Sequence, residues 1–203
     1  MCSDLANNLP GASARRKADE LKAASPGRAF LSRLLNVNTD ERSFRKGSKG
    51  EEEVARRLRA LSSEWRVLHA IQVSEAGTDI DHLVIGPAGV YSLNTKNHLN
   101  ANVWVSDKVI MVNGKKVPYL RNSRSEGSKA SKLLTRTCGF QVEVQPVIVV
   151  MARSLTIKGH PLDVVVVSRK RIARWLGGQT TSLTPESIEL IYAAARNSST
   201  WLP

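Results

Sequence analysis

Apolar and polar residues alternate along two short segments joined by a turn, and this pattern predicts a β-hairpin. The segments are Asp79 to Ile85 and Val90 to Thr95, with Gly86-Pro-Ala-Gly89 between them. Alternate side chains of a strand share a face, so Asn94 and Lys96 lie together and the hairpin brings Asp81 beside them. A carboxylate, an amide oxygen and an ammonium group are therefore expected to converge at one point.

The remaining pattern predicts strands and helices in mixed order. Strand-like segments are Trp65 to Val73, Val103 to Val105, Val109 to Val112, Lys115 to Tyr119, Val144 to Met151 and Asp163 to Val167. Helical periodicity is found over Ser43 to Leu61, Asn122 to Thr137, Arg169 to Leu176 and Thr184 to about Ala195. The Asn113-Gly114 pair predicts a tight turn. Together these elements predict an α/β fold with a mixed central β-sheet flanked by helices.

An acidic run, Glu51-Glu52-Glu53, follows Gly47-Ser48-Lys49-Gly50, and we interpret it as the first turn of the first of these helices. Acidic side chains there suit the positive end of the helix dipole, which alone would explain the run. Glu51 lies three residues before Val54 and shares its apolar face. Of the three glutamates, Glu51 is therefore expected to point inward.

The chain divides by composition into an arm and a domain. Residues 1–40 have weak periodicity and scattered charge, which predicts a loosely ordered basic arm carrying one short helix near Phe30 to Leu35. Residues 41–203 are expected to form a single domain with strands and helices at its C-terminal end.

Charge favours a polyanionic partner. Lys and Arg total 30 against 18 acidic residues, giving a net charge of +12, so nucleic acid is the first expectation and an anionic membrane surface the second. The predicted phosphate-binding surface comprises Lys108, Lys115, Lys116, Arg121, Arg124, Lys129, Lys132 and Arg136. Trp104 and Tyr119 could stack on bases, although aromatic residues at strand positions more often belong to a core.

Cysteine usage and hydropathy exclude several classes of protein. Two cysteines, Cys2 and Cys138, leave no C-x-x-C zinc site or disulfide framework, which favours a reducing, cytoplasmic location. No segment approaches the roughly 20 apolar residues of a membrane-spanning helix, and no signal-peptide pattern is present. No membrane partner is therefore expected.

Four short motifs, in this order, resemble those of the nuclease-related domain (NERD) family of the PD-(D/E)-x-K nuclease superfamily. They are Gly47-x-x-Gly50-Glu51, Asp79-Ile-Asp81-His82, Gly86-Pro-x-Gly89-Val90 and Thr95-Lys96-Asn97. The resemblance covers roughly residues 43 to 150. It implies a restriction-endonuclease-like core in which the first helix supplies Glu51, the second strand Asp81, and the third strand positions 94 and 96.

One position departs from the superfamily pattern, which has Asp or Glu two residues before the lysine. This chain has Asn94, whose carbonyl oxygen can coordinate a cation but brings no negative charge, so metal affinity should fall. Glu126 lies where family members often carry a Gln-containing motif. It is therefore a candidate for the edge of the site.

The resemblance implies a divalent-metal-dependent nuclease that hydrolyses phosphodiester bonds, with Mg²⁺ or Mn²⁺ as cofactor and DNA favoured over RNA. The implied catalytic residues are Glu51, Asp81, Asn94 and Lys96, of which Asp81, Asn94 and Glu51 would bind the metal. Lys96 would orient water or neutralise charge on the phosphate. Asp79 shares the strand face of Asp81 and is a rival ligand.

The four histidines have weaker claims to a role. His82 and His98 could act as bases, but His82 lies on the opposite strand face from Asp81 and is expected to be packed or hydrogen-bonded. His69 and His160 have no predicted partner.

Other functions are also compatible with the sequence. Asn94 and the basic residues would suit a catalytically weakened nuclease fold that binds nucleic acid without cleaving it. A basic module docking onto acidic protein or membrane surfaces would leave the ordered motifs unexplained. Taken alone, Asp81 would be better explained as a turn carboxylate, and Lys96 as an exposed lysine at a strand end, than as catalytic residues.

Overall fold

Helices flank one mixed β-sheet in the part of the chain described by the computed structural model, residues 3–24, 40–73 and 79–201. The helices are α1 (Ala12–Ala24), α2 (Asp40–Leu58), α3 (Tyr119–Cys138), α4 (Ile172–Gly177) and α5 (Pro185–Arg196). The strands are β1 (Arg66–Gln72), β2 (Asp79–Gly86), β3 (Gly89–Val105), β4 (Ile110–Val112), β5 (Lys115–Val117), β6 (Val144–Ile157) and β7 (Val165–Ser168). Short 3₁₀ turns occur at Leu5–Asn7 and Ser198–Thr200. The predicted fold class is confirmed.

Strand β3 organises the sheet because it is long enough to pair with three other strands. It is antiparallel to β2 near its beginning, antiparallel to β4 near its end, and parallel to β6 along most of its length. Its register against β6 shifts between His98 and Asn102. The predicted Asn113-Gly114 turn joins β4 to β5, and both residues have the positive φ angles that such a tight hairpin requires, 48° and 78°.

The core lies between the sheet and the helices. One apolar cluster joins β1 and β2 to α3 and α5, and it includes Leu68, Leu83, Leu134, Ile191 and Trp201. A second cluster joins the sheet to α2 and α4 and includes Val54, Leu58, Leu93, Val147 and Leu176. Burial of these side chains holds α2 and α3 against the sheet, and these two helices carry the glutamates of interest.

The prediction that the three glutamates form the first turn of α2 was wrong. The helix begins at Asp40, so Glu51 lies near its middle rather than in its first turn. Gly47 and Gly50 do not interrupt the helix. At Gly50 the missing side chain is a packing feature, since a Cβ there would lie only 3.0 Å from the Asn97 Cβ in β3. Tight helix-to-strand packing therefore accounts for a glycine directly before Glu51.

The basic N-terminal segment contains regular structure within residues 3–24. Helix α1 packs against α2, and Ala18 is fully buried in this contact. At the start of the segment, Asp4 forms an ion pair with Arg196 of α5. The helix expected near Phe30 to Leu35 lies outside the described residues, and the division into an arm and a domain stays a prediction.

Candidate active site

Glu51 is brought to the sheet by the close approach of α2 to β3. The side-chain amide of Asn97 donates a hydrogen bond of 2.8 Å to the Lys46 carbonyl oxygen, which ties the two elements together one turn before Glu51. Glu51 is 8% exposed, as expected for a residue on the inner face of the helix.

The four residues predicted to form the site line one cavity of about 230 Å³. Its lining comprises Ser13, Ala14, Lys17, Phe44, Gly47, Glu51, Ala70, Asp79, Asp81, Asn94, Thr95 and Lys96. Glu51, Asp81 and Lys96 come from a helix and from two neighbouring strands. The structure therefore brings together the groups that the sequence pattern placed at one point, while their roles stay predictions.

Asp81 is held by the backbone of the neighbouring strand. The Thr95 N–H donates a hydrogen bond of 2.5 Å to Asp81 Oδ2. Burial raises the pKa of the Asp81 carboxyl, against the lowering effects of the Lys96 charge and of this hydrogen bond. Asp81 also lines the cavity, so its carboxyl group can meet a ligand there.

The Glu51 carboxyl group also has a raised pKa. Burial, followed by the charge of Asp81, raises the pKa of Glu51 to about 8. The Gly11 N–H partly offsets this by donating a hydrogen bond of 3.1 Å to Glu51 Oε2. Two carboxyl groups thus lie close together away from solvent. A bound cation would offset both the cost of burying their negative charges and the repulsion between them.

Asn94 and Glu126 form a pair. The Asn94 amide nitrogen Nδ2 donates a hydrogen bond of 2.7 Å to Glu126 Oε2 on α3. The Asn94 oxygen Oδ1 is buried and has no hydrogen-bond partner among the described residues. Burial raises the pKa of Glu126 to about 7. Glu126 therefore lies at the edge of the site, as the resemblance suggested, and touches it through Asn94.

Lys96 is positioned by aromatic and histidine side chains. Its Nζ atom lies 4.9 Å from the centre of the Tyr119 ring at the start of α3, a distance that suits a cation–π contact. The Tyr119 hydroxyl lies 2.8 Å from His98 Nε2. Tyr119 and His98 thus act as supports for the lysine in this structure.

Asp79 lines the same cavity as Asp81 and is a second candidate for binding a cation there. Lys17 Nζ of α1 lies 3.3 Å from Asp79 Oδ2, and Asp79 Oδ1 is buried without a partner among the described residues. Sequence reasoning missed this contribution of α1. Arg15 and Lys17 looked like scattered charge, and nothing local indicated that Gly11, 40 residues before Glu51, would bind its carboxylate.

The oxygen atoms around the cavity suit a hard cation, but they can supply only some of its ligands. In the described part of the chain, no three His, Cys, Asp or Glu side chains form a group that could hold a metal ion by themselves. The available donors are carboxylate oxygens and the unpartnered Asn94 Oδ1, and Mg²⁺ prefers such oxygens. Water or phosphate oxygens would have to complete the shell, which is common for Mg²⁺.

His82 is buried, as predicted, and its Nδ1 lies 2.8 Å from Nδ1 of His69 on the adjacent strand. No partner was predicted for His69, and the structure supplies one because the β1–β2 register places these two residues opposite each other. Burial lowers the pKa of His69 to about 4 and that of His82 well below its usual value. Both rings are therefore neutral, and one Nδ1–H donates a hydrogen bond to the other Nδ1. This arrangement fits a structural role.

The predicted phosphate-binding residues extend from the β3–β4 connection through β5 and along α3. Seven of the eight are exposed and Lys129 is half-buried. Arg124 Nε lies 2.6 Å from Asp163 Oδ2, so part of its charge is already compensated. Trp104 is half-buried, and Tyr119 contacts Lys96. Helix α3 therefore connects this basic surface to the cavity.

Fold and site together define a restriction-endonuclease-like α/β protein. A family model described as "Nuclease-related domain" (NERD) matches residues 46–151, slightly more than half of the 203 residues. The chain thus belongs to the NERD family, whose general context is the PD-(D/E)xK superfamily. The match contains Glu51, Asp81 and Lys96, whereas α1 lies outside it.

No curated protein and no solved structure gave a match. Among the described residues, no helix combines the length and the apolar composition needed to cross a bilayer.

Proposed function

We propose that this chain is a divalent-metal-dependent nuclease that hydrolyses phosphodiester bonds, with DNA as the preferred nucleic acid. The observation that carries the proposal is the meeting of Glu51, Asp81 and Lys96 in one cavity, although they come from separate elements. Membership of a nuclease-related family supports the same conclusion. A cytoplasmic location, where thiols such as Cys138 stay reduced, fits this function.

Asp81 and Glu51 would hold the metal with their carboxylates, and Asn94 would add its amide oxygen. When bound, a divalent ion such as Mg²⁺ lowers the pKa of a bound water and stabilises negative charge on phosphate oxygens. The raised pKa values of Asp81 and Glu51 support this assignment, because burial and crowding disfavour their charges until a cation is present.

Lys96 would act on the phosphate. Its ammonium group is a compact charge with three donors, and it faces the same cavity as the carboxylates. A cation so placed neutralises the charge that develops on the phosphate as a water attacks, and it can orient that water. Contact with the Tyr119 ring restricts where the lysine points.

Cleavage of DNA by the purified protein tests the proposal. With Mg²⁺ or Mn²⁺ present, we expect cleavage that falls by roughly 100-fold or more in Lys96→Ala. Lys170→Ala is the matched control, because Lys170 is exposed and lies outside the cavity. Absence of cleavage with either metal, or equal rates in the wild type and Lys96→Ala, would overturn the proposal.

The second candidate is a module that binds nucleic acid without cleaving it, and Asn94 favours it because this position lacks the expected carboxylate. Asn94→Asp separates the two candidates. Cleavage that appears only in the variant would support the binding module. Strong cleavage by the wild-type protein would exclude it.

A further inference from the structure

The contact between Asn94 and Glu126 joins the cavity to helix α3. Asn94 is 7% exposed, and its amide nitrogen donates to the Glu126 carboxylate at 2.7 Å. When Glu126 is ionised, above its pKa of about 7, its carboxylate can only accept in such a bond, and the nitrogen side of the amide faces it. The oxygen side is therefore turned away from Glu126.

That oxygen, Asn94 Oδ1, has no hydrogen-bond partner among the described residues although it is buried. Leaving a buried acceptor unpaired lowers the stability of a fold. Asn94 lines the cavity together with Glu51 and Asp81, and an unpaired acceptor there is suited to a cation. If the amide could rotate freely, its NH₂ group would face the cavity for part of the time and would repel a cation.

The backbone is adapted to bring Glu126 to this position. The next residue, Gly127, faces Pro146 of β6, and a Cβ at Gly127 would lie 2.5 Å from the Pro146 Cγ. Helix α3 therefore lies closer to the sheet at this point than a side chain would allow. Strand β6 is the parallel neighbour of β3, and Asn94 pairs with Ile148 of β6.

Glu126 also belongs electrostatically to the cavity. After its own burial and the Asn94 hydrogen bond, the charges that act on its pKa are those of Lys96, Asp81 and Asp79. Glu126 accepts a hydrogen bond from the Asn94 amide. In the described part of the chain, Glu126 forms no salt bridge. A half-buried carboxyl group held without a cationic partner lowers stability, which calls for a functional explanation.

We propose that Glu126 is a positioning residue for the cation site: it locks the Asn94 amide with Oδ1 toward the cavity, and the pair together replaces a single carboxylate. The hydrogen bond to a charged acceptor also draws electron density toward Oδ1, which makes that oxygen a better ligand. This inference rests on the proposed function, since it assumes that the cavity binds a divalent cation.

Calorimetric titration with Mn²⁺ in the absence of nucleic acid tests the inference without relying on activity. We expect Glu126→Gln to weaken Mn²⁺ binding by roughly 10-fold or more, because a neutral amide no longer fixes the orientation of Asn94. Glu143→Gln, which alters an exposed carboxylate, should leave the affinity unchanged.

A charge swap separates positioning from a merely structural role. In Asn94→Asp/Glu126→Gln the carboxylate and the amide exchange places, and the amide on α3 can donate to the carboxylate on β3 in turn. We expect this double variant to bind Mn²⁺ at least as tightly as the wild type, whereas Glu126→Gln alone weakens binding, because the carboxylate then lies at position 94 itself. Asn94→Asp alone would place two carboxylates face to face.

The outcomes are distinguishable. Wild-type protein that does not bind Mn²⁺ would remove the proposed function and the inference together. Wild-type binding that is unchanged in Glu126→Gln, or a double variant as weak as the product of the two single effects, would overturn the inference and leave the nuclease proposal standing.

Discussion

At the scale of single residues, the candidate site lowers the stability of the fold that contains it. Burial raises the pKa of Glu51 to about 8 and of Glu126 to about 7. Between its ordinary pKa of 4.5 and about 8, Glu51 in the metal-free fold binds a proton that the unfolded chain releases. This contribution to the free energy of unfolding is therefore complete below pH 4.5 and is lost as the pH rises through 8.

Glu51→Gln should consequently stabilise the metal-free protein at alkaline pH. The variant keeps an acceptor for the Gly11 N–H but has no charge to bury, so at pH 8.5 its free energy of unfolding should exceed that of the wild type by about 1–3 kcal/mol. Urea unfolding in EDTA at pH 5, 7 and 8.5 measures the difference. It should shrink toward pH 5, and a difference that does not depend on pH would contradict the account.

Sequence periodicity could predict some of these residues and not others. Strand alternation predicted that Asp81, Asn94 and Lys96 lie together. Helical periodicity placed Glu51 on the same face as Val54 and so predicted that Glu51 points inward. Other contacts could not be predicted. The hydrogen bond from Gly11 to Glu51 joins residues far apart in sequence, and the contact of His69 with His82 joins two neighbouring strands. No local sequence pattern encodes such contacts.

At the scale of elements, the packing of α1 on α2 decides how the cavity is closed. Gly11 precedes α1 with a φ angle of 77°, and a Cβ there would lie 2.5 Å from Ser48 Oγ. Both the backbone conformation and the close approach to α2 therefore require glycine. From this position the Gly11 N–H reaches Glu51, while Lys17 reaches Asp79 one turn into the helix.

Gly11→Ala should destabilise the protein by about 1–3 kcal/mol, because the side chain is strained at this φ angle and collides with α2. Gly177→Ala is the matched control, since nothing lies within 4 Å of a Cβ at Gly177, near the end of α4. Midpoints of urea unfolding compare the two variants. Equal stability of Gly11→Ala and the control would show that α1 does not pack on α2 in this way.

Element boundaries were harder to predict than element types. The glutamates were placed in the first turn of α2 because acidic side chains suit a helix N-terminus, whereas the structure continues the helix back to Asp40 and uses Gly50 for contact with β3. The full length of β3 was also missed, since its polar middle, around His98 to Asn102, interrupts the apolar alternation. Tertiary pairing with β6 extends the strand through that segment.

At the scale of the whole molecule, charge determines how a nucleic acid would be held. The net charge of +12 and the exposed basic residues of β5 and α3 favour sequence-independent contact with phosphates. These residues lie on or beside the helix that also supplies Glu126 and Tyr119 to the site. In the proposed function, a duplex bound along this basic surface would lie beside the cavity.

Removing two of these charges should weaken binding in a salt-dependent way. For Lys115→Ala/Lys116→Ala we expect the slope of log K against log salt concentration to decrease by roughly 2, because about two phosphate contacts are lost. Lys170→Ala/Arg171→Ala removes the same charge outside this surface and should change the slope little. Equal slopes in the two double variants would place the nucleic acid elsewhere. Fluorescence anisotropy with labelled duplex DNA in EDTA measures binding without cleavage.

The central claim is that Glu51, Asp81 and Asn94 share a divalent cation, and diffraction from crystals soaked in Mn²⁺ tests it most directly. We predict an anomalous peak inside the cavity, with Asp81 and the Asn94 Oδ1 atom at about 2.1–2.2 Å and Glu51 bound directly or through water. A crystal with Mn²⁺ at other sites and no peak between these three residues would contradict the account.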